Sequence, residues 1–428
     1  MSLENYASII GDSKINEIYA KARRLQGTRI LHINSTNQGG GVAEILRSLV
    51  PLMNDAGLEA DWRVLHGTPD FFEITKKFHN GLQGRAFNLS EYKKQLYVDT
   101  NRTFSSYCHI DADCVVVHDP QPLPLIKFYK KNGPWIWRCH VDLSNPAPDL
   151  WEFLKTFVIR YDMTVVSSEA YCKKCLPLEQ RIIYPAIDPL SLKNRELSKG
   201  DMLKYIRKAG IPTDKPLMTQ VSRMDIWKDP EGVLEVYKQV KKQVDCRLLY
   251  CYDMASDDPE GRIVLDRMRR KAKKFIESGD VLFVQGCKQV LVNAIQRFSD
   301  VLVQKSKKEG FCLTVTEALW KGKPVVGSRV GGIPHQLVEA ENGFLVDPND
   351  TKAFADRVVE LLKNPKLAEQ LGRRGKETVR ENFLMTRLLT DYLDMLTDIL
   401  PGRNGHCTAC GHPLPVATAA ATAAAAAV

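Results

Sequence analysis

The chain has 428 residues, 44% of them hydrophobic and 26% charged, with a formal net charge of +9. That length argues for two domains, and that balance belongs to an ordinary globular chain. The basic residues are spread through KKFHN, KFYKKNG, KQVKKQ and RMRRKAKKF with no dense cluster interleaved with aromatics, which argues against nucleic acid and fits a binder of anionic phosphates.

The first residues, MSLENYASII, lack a basic n-region and a long apolar h-region, so no signal peptide is expected. No run of about 18 strongly apolar residues predicts a membrane span. Eleven cysteines, mostly inside apolar runs (Cys114, Cys246, Cys251), fit the reduced thiols of a cytoplasmic protein. The run TRILHIN (28–34) predicts a strand. It leads through Gln38-Gly39-Gly40-Gly41-Val42 into the helix-like VAEILRSLVPLMNDAG. Glycines there allow close backbone approach and expose N–H groups to a ligand, although the run also fits a plain tight turn. It is not G-x-G-x-x-G, and no acidic residue ends a clear second strand, which disfavours NAD.

ADWRVLHG, DCVVVHDP, PWIWRCH and MTVVSSE continue the alternation of strand-like and helical or polar segments. Asp111 and Asp113 precede their strand and read as a turn rather than a metal pair. His118, Asp119 and Gln121 follow one strand, and His140 and Asp142 follow the next. Such residues at strand ends line a crevice and bind sugar hydroxyls; His140 equally fits a satisfied structural histidine. Two prolines in YPAIDP (184–189) break regular structure and place a boundary near residue 187. The charged, helix-like stretch 190–210 opens a second half.

LMTQVSR, CRLLYCYD, DVLFVQG, DVLVQ, KPVVGS and NGFLVD then repeat the pattern. The fold class is therefore α/β, with two Rossmann-like parallel-sheet domains over residues 1–187 and 188–383. Residues 366–400 read as helical, with the segment 384–400 packing back on the first domain. Residues 401–428 are low-complexity and predicted to be disordered. The pairs Cys172/Cys175 and Cys407/Cys410 are too far apart for a zinc knuckle. Cys407 and Cys410, flanked by His406 and His412, fit a small metal site less well than an unstructured tail.

Two segments of the second half carry chemistry. Arg223 and Lys228 stand in a strand-exit loop, where two cations neutralise charge on a departing diphosphate or simply pair with Asp225 and Asp229. Glu309 sits after the strand DVLVQ, and Glu317 one turn into the next helix. The backbone amides of Gly310, Phe311, Cys312 and Leu313 open that helix and form an anion site. Two carboxylates around a phosphate suit a sugar nucleotide, though the spacing alone also fits two surface glutamates. The Gly-rich loop 327–334 offers backbone contacts to a phosphate or nucleotide. No G-x-S-x-G elbow, P-loop, H-E-x-x-H or kinase set occurs.

In this order, the Gly-rich loop, S-R-x(4)-K, E-G-F-x-L-x-x-x-E and G-G-I-P resemble the retaining family-4 glycosyltransferases of GT-B fold, over about residues 25–400. VHDPQPLPL, WRCHVDLS, VSRMDIWKDP, DDPEG and LTVTEALWKGKPVVG are similar to the trehalose glycosyltransferring synthases. The resemblance implies a retaining transfer of glucose from a nucleoside-diphosphate-glucose to glucose, giving trehalose reversibly. By the same resemblance Arg223 and Lys228 hold the donor diphosphate, and residues 310–313 present amides to it. Glu309 binds hydroxyls of the transferred glucose, and Glu317 those of the ribose. Gly40 and Gly41 lie beneath the diphosphate, His140 contacts the donor sugar near O6, and Asp119 and Gln121 hold the acceptor glucose. The chain departs from the family pattern at Cys312 and Asp229, where glycine is usual. No tightly bound cofactor or metal is implied; Mg²⁺ accompanies free nucleotide. The expected partners are nucleoside-diphosphate-glucose and glucose or trehalose, with a homodimer as the assembly and no nucleic acid or membrane. The competing readings are a trehalose phosphorylase and a non-catalytic sugar-nucleotide-binding regulator.

Overall fold

The computed structural model describes residues 1–37, 40–253, 260–286 and 288–400. Gln38, Gly39, the DDP of DDPEG, and the tail with His406, Cys407, Cys410 and His412 lie outside the described residues. The first half holds β1 (Arg29–Asn34), β2 (Glu59–Val64), β3 (Cys114–His118), β4 (Trp135–Arg138), β5 (Met163–Val166) and β6 (Glu179–Ile182). The second holds β7 (Leu217–Arg223), β8 (Arg247–Asp253), β9 (Val281–Gln285), β10 (Val301–Gln304), β11 (Val325–Ser328) and β12 (Phe344–Val346). The strand orders are β2-β1-β3-β4-β5-β6 and β12-β11-β10-β7-β8-β9. Every pairing is parallel.

Parallel strands covered on both faces read as continuous apolar runs. In β3, Cys114 and Val116 join one layer while Val115 and Val117 join the layer on the opposite face. The alternation is the ordinary period of two along a strand. Strand β6, EQRI, is a polar edge strand that apolar patterning does not reveal. In each sheet the strand order reverses once, between β1 and β3 and between β7 and β10. Loops leaving the carboxyl ends of strands at such a reversal diverge and leave a crevice.

One sequence expectation is corrected here. The stretch 190–210 is helical only over Lys199–Lys208. Residues 366–400 fall in two helices, Pro365–Asn382 and Met385–Ile399. The break lies at Leu384, whose backbone is extended and bridges to Ile187. The Ile187 amide donates to Phe383 O, and the Met385 amide to Ile187 O, both at 2.9 Å. The second helix then covers one face of the first sheet with Leu388, Leu389, Tyr392, Leu393 and Leu396. Each buried leucine contributes about 1.5–3 kcal/mol, so the stripe amply fixes the helix there. Among the described residues no helix is long and apolar enough to cross a membrane.

Candidate active site

A cleft of ≈ 750 Å³ lies between the carboxyl ends of the two sheets. Thirteen of the residues singled out in the sequence line it: Gly40, Gly41, Asp119, Gln121, His140, Arg223, Lys228, Glu309, Gly310, Phe311, Cys312, Leu313 and Glu317; Asp142 does not.

Lys228 and Glu309 form a partly buried ion pair. Ser306 Oγ donates to the same carboxylate oxygen at 3.1 Å. Burial alone lowers the pKa of the Lys228 ammonium, but the Glu309 carboxylate outweighs it and the net shift is upward. Lys228 therefore stays charged, with donors left for a second anion. Arg223 leaves the end of β7 and lies 3.4 Å from Asp225. Asp225 also meets Lys76 of the helix Pro69–Leu82 at 3.2 Å. Burial pushes the Asp225 carboxyl upward, yet Lys76 and Arg223 hold it well below the ordinary range. Trp227 Nε1 donates to Asn80 Oδ1 of that helix at 3.1 Å, so the β7 loop is anchored to the opposite half.

The Glu309–Cys312 loop is clamped from both sides. Tyr171 OH donates to Glu309 O at 2.7 Å, and Ser167 Oγ to Gly310 O at 3.1 Å. A Cβ on Gly310 would lie 2.0 Å from His140 O, so only glycine permits this approach. Behind the loop, Gly331 has φ +53°, and a Cβ there would lie 1.7 Å from Glu309 O. The loop 327–334 is not among the cleft's lining residues; it buttresses the Glu309 loop instead of reaching toward a ligand.

The helix Leu313–Trp320 starts at the cleft, preceded by Cys312 at φ 79°. Burial and the Glu309 charge push the Cys312 thiol up to about 12, so it stays neutral. Glu317 is 1% exposed. Lys193 lies 3.0 Å from one of its oxygens, and Gln296 Nε2 donates to the other at 2.9 Å. Lys193 also meets Glu44 at 2.9 Å, on the helix that follows Gly40.

On the first half, Asp119 holds φ 63° and accepts the His140 amide at 2.7 Å. Burial pushes its carboxyl up to about 6. Gln121 Oε1 is buried with no hydrogen-bond partner among the described residues. Asp111 and Asp113 pair with Arg29 at the opposite, amino end of the sheet. Among the described residues no group of three His, Cys, Asp or Glu side chains is placed to hold a metal. Lys76, Tyr171 and Lys193 were not legible as site residues, because no short motif carries them.

Comparison with known proteins places this geometry. Residues 32–173 match the family model for the trehalose synthase N-terminal domain, and residues 201–378 that for glycosyl transferases group 1. The chain is 45% identical over 401 residues to the trehalose synthase of Pyrococcus horikoshii, covering 93% of this chain and 96% of that one. It is 25% identical to the trehalose phosphorylase of Grifola frondosa, covering 89% of this chain and 58% of that one. The solved structure of Escherichia coli described as trehalose-6-phosphate bound with UDP-2-fluoro glucose superposes with TM-score 0.72 at 13% identity, over 88% of this chain and 100% of that chain. That likeness, with two six-stranded parallel sheets facing one cleft, is the GT-B fold. The chain belongs to the trehalose synthase family of retaining GT-B glycosyltransferases.

Proposed function

We propose that the protein moves glucose from a nucleoside-diphosphate-glucose to free glucose, with retention, giving α,α-trehalose and a nucleoside diphosphate, and runs the step in both directions. The observation that carries the reading is the Lys228–Glu309 pair beside the opening turn of the helix Leu313–Trp320. A cation, a carboxylate and a helix N-terminus then face one diphosphate sugar from one side.

In the proposed step the bond between the sugar C1 and the leaving phosphate oxygen breaks first. Arg223, Lys228 and the helix terminus stabilise the charge that gathers on the diphosphate. Glu309 accepts hydrogen bonds from hydroxyls of the glucose being transferred. The acceptor hydroxyl attacks C1 from the face the phosphate leaves, and its proton passes to the leaving phosphate oxygen. Asp119 and the unpartnered Gln121 Oε1 are suited to hold the acceptor sugar. Lys193 and Gln296 occupy part of the acceptor capacity of Glu317, and a carboxylate's remaining lone pairs serve the ribose hydroxyls. Gly40 and Gly41, at the start of the helix Gly41–Asp55, lie beneath the diphosphate, and His140 meets the sugar. Mg²⁺ enters only with free nucleotide.

The test incubates the purified protein with UDP-, ADP- or GDP-glucose and free glucose. Trehalose and nucleoside diphosphate should appear together in equal amounts. The likeness to trehalose phosphorylases gives the second reading, in which inorganic phosphate replaces the nucleotide. Glucose 1-phosphate formed from trehalose and phosphate, with no product from any nucleotide sugar, overturns the first reading in favour of the second.

A further inference from the structure

Behind the cleft wall, three histidines from three adjacent strands or strand ends are joined in a row. His32 Nδ1 lies 3.0 Å from His118 Nε2, and His118 Nδ1 lies 3.1 Å from His140 Nε2. The strands β1, β3 and β4 are neighbours in the sheet, which sets the ring spacing. His32 and His118 are 0% and 1% exposed, while His140 is half-buried and lines the cleft with His118. Burial holds all three rings neutral: His32 is lowered to about 3, and His118 and His140 fall well below the ordinary range. Arg138, buried nearby, adds repulsion against protonation of His118 and His140.

Three neutral imidazoles carry three N–H protons. Each of the two N···N hydrogen bonds holds one. The third must sit at one end of the row, on His32 Nε2 or on His140 Nδ1. These ends are unlike. His32 Nε2 is buried with no hydrogen-bond partner among the described residues, and its ring lies against Tyr392 at 5.9 Å. His140 belongs to the cleft wall, where water or a ligand can receive a proton. An N–H buried without an acceptor is the rarer and costlier state, compared with an unused lone pair.

We propose that His32 and His118 are positioning residues that fix His140 as its Nδ1–H tautomer, a one-way hydrogen-bond donor that selects a neutral oxygen acceptor, such as a sugar hydroxyl or ring oxygen, in the cleft. The row transmits this choice over two rings, because a proton placed at one end empties the other. The sugar as ligand rests on the function proposed above; the tautomer does not.

The test therefore needs no substrate. Full-length protein carrying ¹⁵N-labelled histidine is observed by NMR at neutral pH, with rings assigned by single histidine substitutions. All three rings should show a protonated, pyrrole-type Nδ1 and a bare Nε2, with N–N couplings across both hydrogen bonds. A neutral histidine side chain free in water prefers the opposite Nε2–H form, so this pattern does not arise by default. Protonated Nε2 on His140, a mixture of its tautomers, or missing couplings overturns the proposal. Those outcomes stand apart from the transfer assay, which succeeds or fails on its own products.

Discussion

Three non-glycine residues around the cleft hold positive φ: Asp119 at 63°, Asp229 at 47° and Cys312 at 79°. Such a backbone costs a side-chain-bearing residue about 1–2 kcal/mol. Asp229 recovers part of it by capping the helix Pro230–Lys241 through Gly232 and by pairing with buried Lys305 at 2.6 Å. Asp119 recovers it through the His140 amide. Cys312 has weaker thiol contacts, to Thr314 Oγ1 at 3.2 Å and to the Val315 backbone. Cys312→Gly should therefore leave the unfolding free energy within about 1 kcal/mol of the parent, or raise it. It should also lower KM for the sugar nucleotide, because the Cβ beside the phosphate path is gone. An unchanged KM sets the crowding idea aside. Lys228→Ala and Glu309→Ala should each lower kcat about 100-fold or more while the chain stays folded by circular dichroism. Turnover near the parent level in both removes them from the site.

The elements that carry the site are joined by contacts that short motifs do not reveal. Tyr171, Lys76 and Lys193 reach partners 138, 149 and 149 residues away. Sequence spacing made Glu309, Glu317 and Arg223 legible because each belongs to a compact local pattern. It misplaced the loop 327–334, since a Gly-rich loop after a strand looks alike whether it holds a ligand or supports another loop. Gly331→Ala distinguishes these uses. The added methyl would collide with Glu309 O and strain a positive φ, shifting the carboxylate and not an anion site of its own. Loss of sugar-dependent kcat with nucleoside diphosphate binding retained is the expected result. Loss of nucleoside diphosphate binding, read by calorimetry, restores the direct-contact view.

For the molecule as a whole, the two sheets were legible because doubly covered parallel strands leave long apolar runs. The polar edge strand β6 was not, since its pairing partner rather than its composition decides it. Global stability should carry a signature of Lys321, buried at the end of the Glu317 helix. Its ammonium donates to Asn194 Oδ1 at 2.8 Å. Burial lowers its pKa from 10.5 to about 7, despite the opposing Glu317 charge. Between pH 7 and 10.5 the unfolded chain binds a proton there that the folded chain binds less readily. Stability from this group is thus full above pH 10.5 and lost as pH falls toward 7, at up to about 1.4 kcal/mol per pH unit. Lys321→Met removes that slope, so its Tm should fall less than the parent's between pH 10 and 7. Parallel curves overturn the assignment.

The paired segments at Ile187 and Leu384 carry a mechanical consequence. The chain passes between the halves twice, side by side, and the two passages are bonded to each other. A single tether allows swivel about its own axis, whereas two adjacent tethers leave one easy rotation, like a door on two pins. Any opening and shutting would then retrace one arc. The cleft walls at Asp119 and Lys228 would return to the same register each time, without any contact having to find it anew.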